Sequence, residues 1–298
     1  MSIRENRRES TLYKRENNGI EIMLRLGHII YSNCFPPHAG IVTGEIAFPF
    51  TLVEGIPTEL NRLLYEGKID VSPSSSIEYA VNAGRYMLLP NLSITSRKLV
   101  KSIILQSRVP IAELDKKSVA LTSASATSVV LLRILLELQQ DVHPSLTTFE
   151  QGVEDPFREA DAALFIGDLA LKLKPSPSYP YLYDLGALWH EFTGLPFVFA
   201  LWQVNYKNNI DKDLAVLYDI LMQSKSFGLE NIPALALTHA GRFGIQPQVL
   251  IDYWTSFSYN FGEDEKKGLL AFYGYAAEIG AIKPVTDLRF WTNEQHTR

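Results

Sequence analysis

A single cysteine, Cys34, stands in the 298 residues, so no disulfide can close within the chain and no set of thiolates can gather on a metal. The six histidines, His28, His38, His143, His190, His239 and His296, include no H-x-H or H-x-x-x-H pair, and their spacing supports no metal site. Long hydrophobic runs are missing as well: none approaches the ~20 residues of a membrane helix. The first twenty residues are charged and lack the apolar centre of a secretory signal, so a cytoplasmic protein is expected. Positive charge is also in short supply. With 28 Lys and Arg against 33 Asp and Glu, the formal net charge of -5 argues against nucleic acid or an anionic membrane as partner, since both need a basic field. An anionic ligand would have to be held by local donors.

Such donors are concentrated in residues 117–139, KSVALTSASATSVVLLRILLELQ. A short β-branched run, residues 118–121, meets the hydroxyls of Thr122, Ser123, Ser125, Thr127 and Ser128, and a long apolar helix follows. Ser and Thr cap helices because their oxygens accept the free N–H groups of the first turn, and the same N-terminus attracts anions. Capping needs one hydroxyl; the surplus reads as a cradle for carboxylate or phosphate. The glycines and lysine of a phosphate-binding P-loop are absent, which disfavours a nucleoside triphosphate.

At this length the chain exceeds the size at which single cores usually stop growing, so two lobes are expected. Residues 1–21, polar and mixed in charge, read as a disordered arm. Alternation from Ile22 to Tyr31 gives a first strand, stopped by Pro36 and Pro37 and leaving Asn33 at its C-terminal edge, where open α/β sheets place ligands. Residues 47–53 suit a strand, 57–66 an amphipathic helix and 69–71 a third strand. That strand ends in Ser72-Pro73-Ser74-Ser75-Ser76 before a helix over 77–83, repeating the strand, hydroxyl cluster, helix order. The repeat reads either as two independent caps or as one anion held between two helix starts.

Extended segments at 86–89 and 92–95 precede a strand over 100–106 that contains Ser102. A strand over 162–166 ends in Gly167-Asp168 before a helical 169–173; Asp168 there suits either a ligand hydroxyl or the helix cap. A helix over 184–193 stops at Gly194, and the aromatic strand 196–204 reads as core. Four helices, 211–223, 232–240, 248–257 and 263–279, complete the chain with no strand among them.

Six segments taken together resemble a known family: GHIIYSNCFP (27–36), GIPTELNRLLYEGKIDVSPSSSIEYA (55–80), VKSIILQS (100–107), VALTSASATSVVLL (119–132), AALFIGDLAL (162–171) and DLGALWHEFTGLPFVFALW (184–202). Their order and spacing are similar to the chorismate dehydratases of the futalosine route to menaquinone. The resemblance implies an α/β, two-lobed fold like the type II periplasmic binding proteins, with a helical C-terminal region. Because the chain must cross twice, lobe one is expected at 22–96 and 195–298 and lobe two at 97–194.

The resemblance also implies a lyase that dehydrates chorismate to 3-[(1-carboxyvinyl)oxy]benzoate with no cofactor and no metal. Carried over by position, it makes Asn33 and Ser102 catalytic and gives substrate binding to Ser75, Ser76, Thr122, Ser123, Ser125, Thr127, Ser128 and Asp168. The chain departs from the family pattern at Phe35 and at Ser96-Arg97-Lys98-Leu99, so Arg97 becomes either an extra carboxylate partner or a solvated charge. Aromatisation of the product supplies driving force, and no histidine belongs to the site by sequence. The expected base is the substrate's own enolpyruvyl carboxylate, with Asn33 bonding a reacting oxygen. Two other readings stand beside this one: the 1,4-dihydroxy-6-naphthoate synthase of the same route, and a non-catalytic cytoplasmic binding module for an aromatic carboxylate.

Overall fold

The computed structural model describes residues 24–206 and 210–292. The expected N-terminal arm and the start of the fold at Ile22 lie outside the described residues. The chain opens with β1 (Arg25–Ile29), α1 (Phe35–Val42), β2 (Thr51–Gly55), α2 (Pro57–Tyr65), β3 (Val71–Ser75), α3 (Ser76–Val81) and β4 (Tyr86–Ser96). It continues through β5 (Ile103–Ser107), β6 (Ser118–Thr122), α4 (Ala126–Ile134), β7 (Ser145–Phe149), β8 (Ala162–Ile166), α5 (Gly167–Ala170), β9 (Tyr181–Asp184) and α6 (Leu185–Thr193). Strand β10 (Phe197–Asn205) leads to α7 (Asp211–Glu230), α8 (Ile232–Phe243), α9 (Pro247–Trp254), β11 (Phe257–Ser258) and α10 (Glu263–Glu278).

The strands form two separate sheets. Six run in the order β11-β4-β10-β3-β1-β2 and five in the order β7-β6-β8-β5-β9. Strands β1, β2 and β3 are parallel, whereas β10 is antiparallel to both β3 and β4. In the other sheet β6 is parallel to β7 and β8, and β5 is antiparallel to β8 and β9. The backbone leaves the first sheet after Ser96 and rejoins it at Phe197. All nine residues of β10 are buried, as an apolar strand in mid-sheet requires.

Several boundaries differ from the sequence reading, each for a local reason. Pro36 and Pro37 do more than stop β1; they sit in the first turn of α1, where a missing N–H has no helical partner to lose. Strand β3 runs on through Ser72–Ser75, where a turn was expected. Its pairing with β1 is confined to Val71, so Pro73 meets only β10, and the side chain of Asn61 serves Ser75 in place of a strand, accepting its N–H at 3.2 Å and donating to Oγ at 2.8 Å. The extended pieces at 86–89 and 92–95 are one strand of eleven residues. Ser102 precedes β5 and does not lie inside it. Strand β7 escaped because four of its five residues face solvent, and β9 because it is short and half-buried. The helical C-terminal region contains one small strand, β11, paired with β4.

Among the described residues no helix is long and apolar enough to cross a membrane. Helix α7 crosses the start of α1 so closely that a Cβ on Gly228 would lie 1.8 Å from the Pro36 carbonyl oxygen. Gly241, on the exposed side of α8, has nothing within 4 Å of that position.

A polar chain is buried under the β1–α1 corner. Trp202 Nε1 donates to His38 Nε2 at 3.1 Å, and His38 Nδ1 lies 2.9 Å from His28 Nδ1. An indole N–H can only donate, so the proton of a neutral His38 sits on Nδ1 and is given to His28 Nδ1. Cys34 lies beside them, with the three possible ligand atoms within 4.8 Å of one another, a grouping that linear spacing did not reveal. A metal held by both Nδ1 atoms would move the His38 proton to Nε2 and set it against the Trp202 donor. The trio therefore fits a hydrogen-bond chain and not a metal centre. Burial lowers both imidazoles, His28 to about 4, and pushes the Cys34 thiol up to about 12.

Two outcomes follow from this packing. Gly228→Ala should lose about 1–3 kcal/mol in urea unfolding by overpacking, whereas Gly241→Ala should be neutral or gain up to about 1 kcal/mol of helix propensity; equal effects would contradict the close crossing. Because His28 is lowered to about 4 from 6.5, the folded chain binds fewer protons than the unfolded one between those values. Its contribution to stability thus falls as pH drops through that window, by about 3 kcal/mol in total. Nitrogen NMR of the rings should find His38 neutral and Nδ1-protonated at pH 5; an imidazolium there at pH 6 would break the assigned chain.

Candidate active site

The two sheets face each other across a narrow cleft of about 50 Å3, partly open to solvent. Its polar lining is Tyr31, Asn33, Ser75, Ser102, Ser125, Thr127 and Ser128, and its apolar lining includes Ile29, Ile94, Ile103, Ile166 and Phe199. Among the described residues, none that lines it is charged.

Asn33 sits in the short turn Ser32–Cys34 that carries β1 into α1. Its Oδ1 is buried and has no hydrogen-bond partner. A buried amide oxygen left bare costs about 1–3 kcal/mol, so a ligand donor at this point would recover a real deficit.

The turn is held from the opposite sheet. Asp168, in α5 at the end of β8, accepts the backbone N–H of Ser32 at 3.2 Å and also its hydroxyl. Gly167 before it has φ +67, and a Cβ there would press on the Tyr31 ring at 3.1 Å, so both the backbone angle and the space call for glycine. Gly167 N–H also donates to the Ser102 carbonyl at 2.8 Å. Burial raises the Asp168 carboxyl, against the bonds from Ser32 that lower it. Burial, with Asp168 second, pushes the Tyr31 phenol up to about 12, which keeps it a donor.

The two hydroxyl-rich helix starts meet. Ser125 caps α4, accepting from Ser128 N at 3.3 Å, with the two hydroxyls 2.9 Å apart. Thr127 Oγ1 reaches across to accept Ile77 N at 3.1 Å, in the first turn of α3, and lies 3.4 Å from Ser76 Oγ. With Pro57 at the start of α2 and Gly167 at the start of α5, the cleft collects positive helix ends while carrying no charged side chain.

Of the residues singled out by sequence, the cleft gathers Asn33, Ser75, Ser102, Ser125, Thr127 and Ser128. It leaves out four. Ser123 is exposed, and its N–H goes to the Phe149 carbonyl. Thr122 Oγ1 accepts Ala124 N within its own turn. Ser76 faces Thr127, and the Asp168 oxygens are taken by Ser32, so Asp168 neither caps its own helix nor lines the cleft. Arg97 is a solvated charge, its side chain 71% exposed and 3.6 Å from Glu265. Sequence reasoning missed Tyr31, whose position one residue before the turn at a strand end was a usable signal, and Phe199, whose aromatic strand read only as core.

The family described as menaquinone biosynthesis matches residues 24–278. A chorismate dehydratase of Thermus thermophilus is 34% identical over 238 residues, covering 75% of this chain and 85% of that protein. A chorismate dehydratase of Campylobacter jejuni is 32% identical over 194 residues, covering 63% and 70% respectively. Among solved structures, protein AF1704 of Archaeoglobus fulgidus superposes with a TM-score of 0.70 at 20% identity, covering 87% of this chain and 98% of its own. The periplasmic aliphatic sulphonate binding protein SsuA of Escherichia coli gives 0.60 at 16% identity, covering 91% and 98%. These structural likenesses speak for the fold alone, the two-lobed α/β architecture of periplasmic binding proteins. The sequence match over most of the chain goes further: this protein belongs to the menaquinone biosynthesis family.

Proposed function

We propose that the protein is a lyase that dehydrates chorismate to 3-[(1-carboxyvinyl)oxy]benzoate, in the cytoplasm and without a cofactor. The observation that carries this reading is the cleft itself, which Asn33 and the hydroxyls at the start of α4 line together with an apolar surface. An anionic ring compound suits that surface. The helix starts and hydroxyls at Ser125, Thr127 and Ser128 meet a carboxylate, and Ile29, Ile94, Ile166 and Phe199 pack the ring. That two relatives are named chorismate dehydratase supports the choice of substrate.

The chemistry asks little of the protein beyond orientation. The ring C–O bond to the hydroxyl breaks, the neighbouring ring carbon gives up its proton, water leaves, and the ring becomes aromatic. Among the described residues, no carboxylate or imidazole lines the cleft to take that proton. The substrate's enolpyruvyl carboxylate, held close to the ring, takes it and passes it to the departing hydroxide, which leaves as water, while the Asn33 amide N–H and the Ser102 hydroxyl donate to that oxygen. Fixing these groups in a near-attack geometry is the kind of assistance that positioning alone supplies.

Incubating the purified protein with chorismate should consume the cyclohexadiene absorbance and yield a benzoate product. Binding without consumption would favour a sensing module, and turnover only of a later intermediate would favour the dihydroxynaphthoate synthase. Asn33→Ala should lower kcat with little change in KM, because its bond strengthens as charge develops, while Ser125→Ala should chiefly raise KM. Each effect should be roughly tenfold to a few hundredfold, the worth of one hydrogen bond to a charged group. Ser125→Ala should also lose a cap worth about 1 kcal/mol. An Asn33→Ala enzyme with unchanged kcat would remove Asn33 from the reaction.

A further inference from the structure

Ser102 is gripped from a part of the chain far from the cleft in sequence. Tyr253, on α9 and wholly buried, places its phenolic oxygen 2.5 Å from Ser102 Oγ. A phenol is a far stronger acid than an alkanol, so in this pair the tyrosine donates and the serine accepts. Among the described residues, the acceptor within the chain for the serine's own proton is the Val100 carbonyl at 3.4 Å, at the limit of a hydrogen bond. Ser102 also lines the cleft. With its lone pair engaged from behind, its O–H is left to point at whatever the cleft holds.

We propose that Tyr253 is a positioning residue for the dehydration, aiming the Ser102 hydroxyl proton into the cleft at the departing oxygen. This rests on the dehydratase reading above. The surrounding geometry is built to hold the pair. Lys101, next to Ser102, has φ +64, a left-handed backbone uncommon for a lysine. The hold is double. Asp184 accepts Val100 N at 3.0 Å and Lys101 N at 2.7 Å, and Lys101 Nζ donates to the Asp252 carbonyl at 2.8 Å, one residue before Tyr253. The segment carrying Ser102 is thus tied to α6 on one side and α9 on the other. Burial raises the Tyr253 phenol well above its ordinary value, so it stays a donor at every working pH. Its ring is fixed independently, edge-on to Phe257 at 5.0 Å.

Tyr253→Phe keeps that ring and removes only the donor. Chorismate turnover should fall roughly tenfold to a hundredfold in kcat, with KM changed less than about threefold. The decisive comparison is the cycle with Ser102→Ala. If Tyr253 acts through Ser102, the double variant should be no slower than Ser102→Ala alone; a structural role would make the losses multiply. The double variant removes both partners and orphans neither, so it should fold even if Tyr253→Phe does not. Wild-type kcat in Tyr253→Phe, or multiplied losses in the double variant, would overturn the proposal and leave the dehydratase reading standing. Absence of chorismate turnover in the wild-type protein would overturn that reading, and this inference with it.

Discussion

The carboxylate of Asp168 closing on the backbone N–H and hydroxyl of Ser32 is the bond on which the rest of the site depends. It joins the end of β8 in one sheet to the turn after β1 in the other, next to Asn33. Gly167 lets the Tyr31 ring lie against the backbone there, and its N–H ties in the Ser102 carbonyl. Asn33, Tyr31 and Ser102 therefore share one anchor. A half-buried carboxylate with hydrogen bonds as its compensation is costly unless the partners are in place, so the arrangement of the two sheets is coupled to the geometry of the Asn33 turn.

A second constraint is charge. The protein is acidic, and the cleft has no Lys or Arg in its lining. On the proposed reading, anion binding falls to oriented dipoles: the start of α4 with its Ser125 cap, the neighbouring start of α3, and the hydroxyls between them. Such groups are fixed by the backbone and need no reorganisation when charge moves during a reaction, which suits an elimination that shifts charge over a short distance.

The same economy governs the segments between the sheets. Residues 97–102 leave the first sheet with a left-handed Lys101, and Asp184 compensates by accepting four backbone N–H groups, those of Val100, Lys101, Gly186 and Ala187. On the return, a Cβ at Gly268 of α10 would lie 2.1 Å from the Pro196 carbonyl, so the C-terminal helices press directly on the crossing. The helical region is in this way part of the site's framework, through Tyr253 above all.

What the sequence determined by itself was whatever local chemistry fixes. Helices α2, α6 and α10 were legible because Pro57, Asp184 with Gly194, and the apolar periodicity act within a few residues of where they stand. That a serine caps α4 was legible for the same reason, but Ser123 and Ser125 were equal candidates until the structure gave the cap to Ser125. The two hydroxyl-rich helix starts followed from pattern, and the family, with the α/β two-lobed class it implies, from the order of six segments. Strands β7 and β9, the run of β3 through Pro73 and the placing of Ser102 just before β5 were not legible, because a strand exists through its neighbours and those are distant in the chain. Thr122, Ser123 and Ser125 carry the same hydroxyl chemistry, yet only the last lines the cleft. Asp168 suited a ligand or a cap by sequence, and the fold gave it to Ser32, 136 residues away. Only tertiary structure decides which way such side chains point, because direction is set by long-range packing and a sequence pattern reports the hydrogen-bonding capacity of a residue without its partner.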